Sequence, residues 1–299
     1  MANYAWTDLA KSVLPGMQTA FMGGYKAMPT KWQQVATKIP STSKIETYPW
    51  VVDTKGPSEW KDERSEGAGV ELYLQVTNAD YEVSWNVERD ALRYEKYGQM
   101  KMQAMSRGRL MASYIDELVL TLIANAQTTA TYTGDDATYV AANDHSEGSS
   151  GTQDNLGSTA LSDSALTSAR VAMMKFKNAM GKPLGLVGDT LVVPPELEAT
   201  ALKLVNSERT AGDANNDANT HRGAYNVVVN PYMTDTNDWA LLCTTGHIKP
   251  LLWQEFQGPS PVEIIEDKLK TNKYAVYGSD MTGKAAFTDW RYIYYSAVT

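Results

Sequence analysis

The sequence has very little cysteine and contains no long apolar run. Its 299 residues include one cysteine, Cys243, which excludes an internal disulfide framework. Cys243 lies in the apolar stretch DWALLCTTG with no basic residue nearby to lower its pKa, so we expect a buried, unreactive thiol. No apolar run approaches the ~20 residues of a membrane span. The N-terminal stretch MANYAWTDLAKSVLPG lacks the basic and apolar regions of a signal peptide.

Motifs for catalysis, cofactor binding and metal binding are also missing. No serine lies in a glycine-flanked nucleophile elbow, and no glycine-rich loop follows a strand to hold a phosphate. His145, His221 and His247 are far apart, and NDHSEG around His145 is interpreted as a polar loop. The stretches GDD (134–136) and DANNDAN (213–219) lack the spacing of a calcium loop. We therefore predict no catalytic, cofactor-binding or metal-ligating residue.

Charge and aromatic content favour contacts with protein over contacts with nucleic acid. The formal net charge is −8, whereas a protein that binds nucleic acid over its whole surface is usually basic. The chain has 8 Trp and 17 Tyr but only 4 Phe. Tyrosine and tryptophan are enriched at protein interfaces because they join a large contact area to a polar tip.

Two adjoining N-terminal segments carry opposite charge. Residues 1–44 hold five lysines and one aspartate, a balance of +4, and predict a short helix near Asp8–Leu14, an arm with breaks at PGM and MGG, and a helical piece at Thr30–Thr37. Residues 45–82 hold nine acidic and three basic residues, a balance of −6, with strands at TYPWVVDT and VELYLQVT. Because an isolated hairpin is marginal in water, this excursion needs a partner surface, either its own domain or another chain. We predict that it packs mainly on another chain.

The remaining chain alternates helices and strands. YEVSWNVER predicts a strand with one apolar face, and a helix from about Asp90 to Ala126, interrupted around 107–109, predicts a span of roughly 45 Å across a sheet. Met100, Met102, Met105 and Met111 are interpreted as packing residues of that helix. A polar connection at 127–165 leads to a second amphipathic helix that is capped by Ser162 or Ser164 and ends at Gly181.

A sharp strand-to-helix corner is predicted in the stretch DTLVVPPELEATALKLVNS. Pro194 ends the strand because proline cannot donate to a sheet ladder, and a proline at the first helical position loses no hydrogen bond. Further strands are predicted at YNVVVNPYM, WALLCTT, PVEIIED, KYAVYGSDM and DWRYIYYSAV. The fold class is therefore α+β.

The order of these parts resembles the tailed-phage major capsid proteins with the Hong Kong 97 fold, and most closely the Mu-like major head subunit family. The stretches that carry the resemblance are KWQQVATKIPSTSKIETYPWV, EWKDERSEGAGVELYLQVTNADYEVSWNVERDAL, LVVPPELEATALKLVNS, HIKPLLWQE and YAVYGSDMTGKAAFTDWRYIY. They cover most of the chain from Thr30 onward. The loops around Asp135–His145 and Ser207–Gly223 depart from the family pattern.

The resemblance implies a division of the chain and a structural function. The implied parts are an N-terminal arm (1–44), an extended loop (45–82), a peripheral domain with a spine helix (83–181), an axial domain (182–261) and return strands of the peripheral domain (262–299). Identical chains would form hexamers and pentamers of an icosahedral shell in the virion, assembled in the host bacterial cytoplasm. Scaffold and portal proteins would be further partners, and the enclosed DNA would make no sequence-specific contact. The alternatives are an encapsulin-like cellular compartment or, with less support, a soluble α/β hydrolase.

The charge opposition has two interpretations: the two segments attract each other between subunits, or their charges merely keep both segments soluble. Residues expected to contact each other between subunits are Lys26, Lys31 and Lys38 on the arm and Glu59, Trp60, Asp62, Glu63 and Glu66 on the extended loop. The lysine–asparagine cross-link of one branch of the fold needs a glutamate beside the pair. Since no such constellation is recognisable in the sequence, we predict no covalent cross-link.

Overall fold

The computed structural model describes residues 6–53, 70–94, 96–128, 139–146, 150–209, 218–246, 248–265 and 273–298. The α-helices are α1 (Trp6–Ser12), α2 (Leu14–Ala27), α3 (Trp32–Val35), α4 (Arg89–Arg93), α5 (Tyr97–Ala124), α6 (Asp163–Lys175) and α7 (Glu198–Asn206). The strands are β1 (Ala36–Pro40), β2 (Ile45–Asp53), β3 (Val70–Thr77), β4 (Ala79–Glu88), β5 (His145–Ser146), β6 (Thr152–Gln153), β7 (Leu156–Gly157), β8 (Thr190–Val193), β9 (Asn226–Val229), β10 (Trp239–Leu242), β11 (Leu251–Gln257), β12 (Glu263–Ile264), β13 (Tyr274–Phe287) and β14 (Ile293–Ser296). Among the described helices, none is both long and apolar enough to cross a membrane.

The first five-stranded sheet is built around β13. Its strand order is β1-β11-β13-β12, and β4 also pairs with β13. The antiparallel β4–β13 ladder runs from Tyr274 opposite Glu88 to Gly283 opposite Ala79, whereas β1 joins β11 in parallel. In β4 the predicted apolar positions alternate with exposed ones, and Trp85 and Val87 are buried. This alternation gives the sheet one face for packing against helices.

Helix α5 lies across the first sheet and contacts β4, β11 and β13. The predicted long helix is confirmed, although it begins at Tyr97 because the short helix α4 occupies 89–93. The expected interruption at 107–109 is wrong, since α5 is continuous over 28 residues. Gly108 is buried there, and a Cβ atom on it would collide with the carbonyl oxygen of Phe21 in α2. The glycine therefore serves a close helix contact and does not break the helix.

The N-terminal segment is helical, and the prediction of a broken arm is wrong. Helix α2 continues through PGM and MGG, with Pro15 in its first turn and Gly24 buried. A Cβ atom on Gly24 would collide with the carbonyl oxygen of Met105, so the backbones of α2 and α5 touch from both sides. Met17 and Phe21 are buried in the core beside this contact. Gly24 and Gly108, which the sequence pattern indicated as helix breaks, are therefore the residues that let α2 and α5 approach closely.

The second five-stranded sheet has the order β7-β14-β10-β8-β9. The corner after β8 is confirmed: Pro194 is extended, with φ −67° and ψ 164°, and a 3-10 turn at Pro195–Leu197 leads into α7. Helix α7 packs against β8 and β9, while α6 packs against β10 and β14. The predicted cap of α6 is also confirmed, since the Ser162 hydroxyl accepts a hydrogen bond from the Ala165 amide at 3.2 Å.

The two sheets divide the chain differently from the sequence boundaries. We call residues 139–246 and 290–298 the second-sheet unit, and the rest of the described chain the first-sheet unit. Helix α6, expected within 83–181, and strand β14, expected among the return strands, belong to the second-sheet unit. Strand β11, expected within 182–261, belongs to the first. A strand's partners lie far away in sequence, so local pattern does not assign it to a sheet.

Candidate functional site

The hairpin of β2 and β3, which forms the excursion at 45–82, packs at its base against its own chain. Leu74 and Val76 of β3 form a buried cluster with Leu252 and Ala286 of the first sheet. The Tyr48 hydroxyl donates to Gln254 Oε1 at 2.9 Å, and burial raises the pKa of Tyr48. The expectation that the excursion packs mainly on another chain is therefore wrong for this base. Residues 54–69 lie outside the described residues.

The three lysines predicted to meet a neighbouring subunit differ in their surroundings. Lys38 forms an ion pair with Glu255 of β11 at 2.6 Å. The Lys31 ammonium donates to the carbonyl oxygen of Val229 at 3.2 Å. Lys26 is exposed at the end of α2. Their predicted partners Glu59, Trp60, Asp62, Glu63 and Glu66 lie outside the described residues, so the contact between the two sets stays a prediction.

Asp116 holds the point at which the chain passes from the N-terminal helices into strand β1. Its carboxylate, on α5, accepts the backbone N–H groups of Lys31 at 2.9 Å and of Trp32 at 2.7 Å, at the start of α3. Burial raises the pKa of Asp116, while these hydrogen bonds and the Lys31 charge act in the opposite direction. This contact joins positions 85 residues apart and sets where β1 enters the sheet beside β11.

Two of the histidines take part in buried packing. His145 is fully buried and stacks on Trp290, with ring centroids 4.1 Å apart, so the interpretation of NDHSEG as a polar loop is wrong at this position. His221 Nε2 lies 3.1 Å from Thr167 Oγ1, and Nδ1 lies 3.4 Å from the Tyr225 hydroxyl. Both histidines thus join segments of the second-sheet unit. His247 is outside the described residues.

The last candidate groups are the Cys243 thiol and the side chains that could ligate a metal ion. Cys243 is buried, and burial together with the nearby Asp189 charge raises the pKa of its thiol, in agreement with the sequence interpretation. Within the described ranges, no three His, Cys, Asp or Glu side chains come together in a way that could hold a metal ion.

Helix α5 presents a mixed apolar and acidic surface beside β4. Met100 and Met111 are buried, but Met102 is 72% exposed and Met105 is also exposed, so the interpretation of all four methionines as packing residues is wrong for these two. A groove of about 410 Å³ runs between α5 and β4. Its lining includes the side chains of Asp80, Tyr81, Glu82, Leu110, Tyr114 and Glu117.

A second surface, which we call the basic face, lies on α6 and the turn after it. Residues 164–188 contain four basic and no acidic residues. Apolar side chains on this surface, each 39–42% exposed, are Val171, Met174, Met180 and Leu184. The hydrogen bonds Asn178 N to Lys182 O and Leu184 N to Phe176 O fold the turn back beside the end of α6. The sequence interpretation missed this face, although a 25-residue run without an acid in a chain of net charge −8 was a usable signal.

Comparison with known proteins gives the same fold over nearly the whole chain. The chain is 21% identical over 295 residues to the Mu-like prophage FluMu major head subunit of Haemophilus influenzae, covering 97% of this chain and 73% of that protein. It is similar to the procapsid subunit of bacteriophage JBD30, with a TM-score of 0.57, 19% identity and coverage of 98% and 76%. It is also similar to the virus-like particle of Pyrococcus furiosus, with a TM-score of 0.53, 11% identity and coverage of 94% and 98%.

The family model described as "Phage capsid protein" matches residues 74–296. This match includes α5 and the whole second sheet, and begins within β3 of the hairpin. The similarity to solved capsid subunits extends over the same elements and agrees with the α+β class predicted from sequence. The chain therefore belongs to the phage capsid protein family and has the Hong Kong 97-like capsid fold.

Proposed function

We propose that this chain is the major head subunit of a tailed phage, which self-assembles into an icosahedral shell around double-stranded DNA. The observation that supports this most is the family match over 74–296, because it includes strands of both sheets and not a single motif. The fold suits the task. It contains two packed units and a hairpin anchored at its base, leaving surfaces for neighbouring copies.

The hairpin provides one of these contacts. Its base is fixed by Leu74, Val76 and Tyr48, so the segment 54–69 starts from a rigid platform. We place this segment on a neighbouring subunit, where Glu59, Trp60, Asp62, Glu63 and Glu66 are available for contact. Since Lys31 and Lys38 are engaged within the chain, Lys26 is the one of the three predicted lysines left for these acids. Lys26→Glu is then expected to lower shell yield at low salt and to have little effect at ~1 M salt, where the Debye length is about 3 Å.

The proposed role as a shell subunit also implies contacts with the enclosed DNA and with other assembly proteins. A chain of net charge −8 would contact DNA weakly and without sequence specificity. Scaffold and portal proteins would act with it during assembly in the host bacterial cytoplasm, and the product would be the virion capsid.

Electron microscopy of the purified full chain, expressed alone and with its phage's assembly proteins, tests this function. We expect closed icosahedral particles, and particles filled during infection should contain nuclease-protected DNA. Particles whose lumen holds a protein cargo and no DNA would instead support a cellular compartment shell. A chain that stays a small oligomer under every condition would refute the proposal.

A further inference from the structure

Two helices of the second-sheet unit lie over different parts of its sheet. In the strand order β7-β14-β10-β8-β9, α6 contacts β14 and β10, whereas α7 contacts β8 and β9. The two helices therefore present two different surfaces of this unit. A subunit with two different sides can meet identical copies head to tail, and such heterologous contacts close into rings when the rotation allows.

The α6 side carries the basic face. Lys175 and Lys182 are exposed there, and no carboxylate of the described residues lies within ion-pair distance of either. Met174, Met180 and Leu184 add partly exposed apolar side chains in the same segment. An unpaired charge cluster that shares its segment with apolar side chains is suited to a protein partner of opposite charge.

The α7 side carries the opposite sign. The segment 195–209 holds Glu196, Glu198 and Glu208 against Lys203 and Arg209, and Glu208 pairs with Arg222 at 3.2 Å. Glu196 and Glu198 are exposed at the start of α7, and Leu202, one helical turn after Glu198, is 40% exposed. We call the surface formed by Glu196, Glu198 and Leu202 the acidic edge. Like the basic face, it combines charged and exposed apolar side chains, but its exposed charges at the start of α7 are negative.

We propose that the basic face of one subunit docks on the acidic edge of the next copy of this chain, and that this contact closes the rings of the shell. The inference rests on the proposed function and adds to it which two surfaces meet. Lys175 and Lys182 face Glu196 and Glu198 of the neighbour, with Met180 and Leu184 against Leu202. Because the contact is heterologous, it serves rings of five and of six subunits alike.

Charge reversal tests this pairing. Lys175→Glu with Lys182→Glu should reduce the yield of particles at least about tenfold, because like charges then face each other across the contact. Glu196→Lys with Glu198→Lys should reduce it similarly. The chain with all four substitutions should regain assembly, since the contact is again complementary. All four positions are exposed, so thermal unfolding of the unassembled subunits should remain close to wild type.

Lys203→Glu is the matched control. It makes the same charge change as Lys182→Glu in the same unit, but Lys203 lies on α7 within the acidic edge. Under the proposal it leaves assembly intact or makes it more tolerant of salt. If wild type assembles and the two double variants assemble equally well, or if Lys203→Glu is as harmful as they are, this docking is wrong while the shell function stands. If wild type never forms particles, the shell function itself fails.

Discussion

At the scale of single residues, Asp189 connects the start of β8 to the segment that follows β10. Its carboxylate accepts hydrogen bonds from Thr244 N at 3.0 Å, from Thr244 Oγ1 at 2.7 Å and from Thr245 N at 2.9 Å. Burial raises the pKa of Asp189, but these bonds and one from Thr190 outweigh it, so the pKa lies below its usual value. The ionised form therefore stabilises the native chain.

We expect Asp189→Asn to lower the free energy of unfolding by about 1–3 kcal/mol at pH 7, because an amide cannot accept the same donors on both of its atoms. A depressed pKa contributes stability that is present above the unfolded value of ~3.9 and is lost as the pH falls through the folded value. The difference between variant and wild type should therefore shrink below about pH 4. Urea unfolding of the unassembled subunit at several pH values measures it.

Asp235→Asn is the control, since Asp235 is exposed and accepts only from the nearby Asn237 amide among the described contacts. It should change stability by less than about 0.5 kcal/mol. An Asp189→Asn protein as stable as wild type at pH 7, or one whose deficit does not shrink as the pH falls below about 4, would show that the carboxylate has no such role.

At the scale of elements, the contact between α2 and α5 determines the shape of the first-sheet unit. Gly24 and Gly108 let the two backbones touch, and Asp116 then holds the start of α3 against α5. The N-terminal helices are consequently part of the folded body.

Gly24→Ala should lower the free energy of unfolding by about 1–3 kcal/mol, since the added methyl group would collide with backbone atoms of Met105 that cannot move freely. Gly23→Ala is the matched control on the same helix. A Cβ atom at Gly23 meets nothing within 4 Å, so alanine there should stabilise the helix by about 0.5–1 kcal/mol. Thermal unfolding compares the two, and equal effects of the same sign would contradict the close helix contact.

The sequence predicted the elements whose signals are local. Pro194 and Pro195 specify the corner before α7 by their own chemistry, and Ser162 specifies the start of α6. Helix α2 was missed because glycine is both a helix breaker and the residue that allows close approach, and only the partner helix distinguishes the two. His145 was missed because its partner Trp290 lies 145 positions away.

At the scale of the whole molecule, the surfaces left uncovered after folding are the candidate site. Their residues are spread over α5, α6, α7 and the hairpin, so no local sequence motif identifies them. Net charge of −8 conceals the adjoining segments 164–188, with a balance of +4, and 189–246, with a balance of −5, in the second-sheet unit. Charge counted over segments of 20 to 60 residues, together with exposure, identifies such surfaces where motif searches do not.

The mature particle should be held by non-covalent contacts alone. We expect intact particles boiled in denaturant to run as a single band near 32.9 kDa on a gel. The reason is that the sequence shows no recognisable lysine–asparagine–glutamate constellation for a cross-link. A ladder of multimers that survives boiling would contradict this prediction, and mass spectrometry of the ladder would identify the joined residues.

The central claim is that this chain is a shell subunit whose second-sheet unit forms the rings. Cryo-electron microscopy of particles assembled from the purified full chain tests it most directly. The account predicts closed icosahedral shells in which the second-sheet units surround the fivefold and sixfold axes, with α6 of each copy against α7 of the next. Closed shells whose axes are surrounded by the first-sheet unit, or a chain that remains a 32.9 kDa monomer under all assembly conditions, would contradict it.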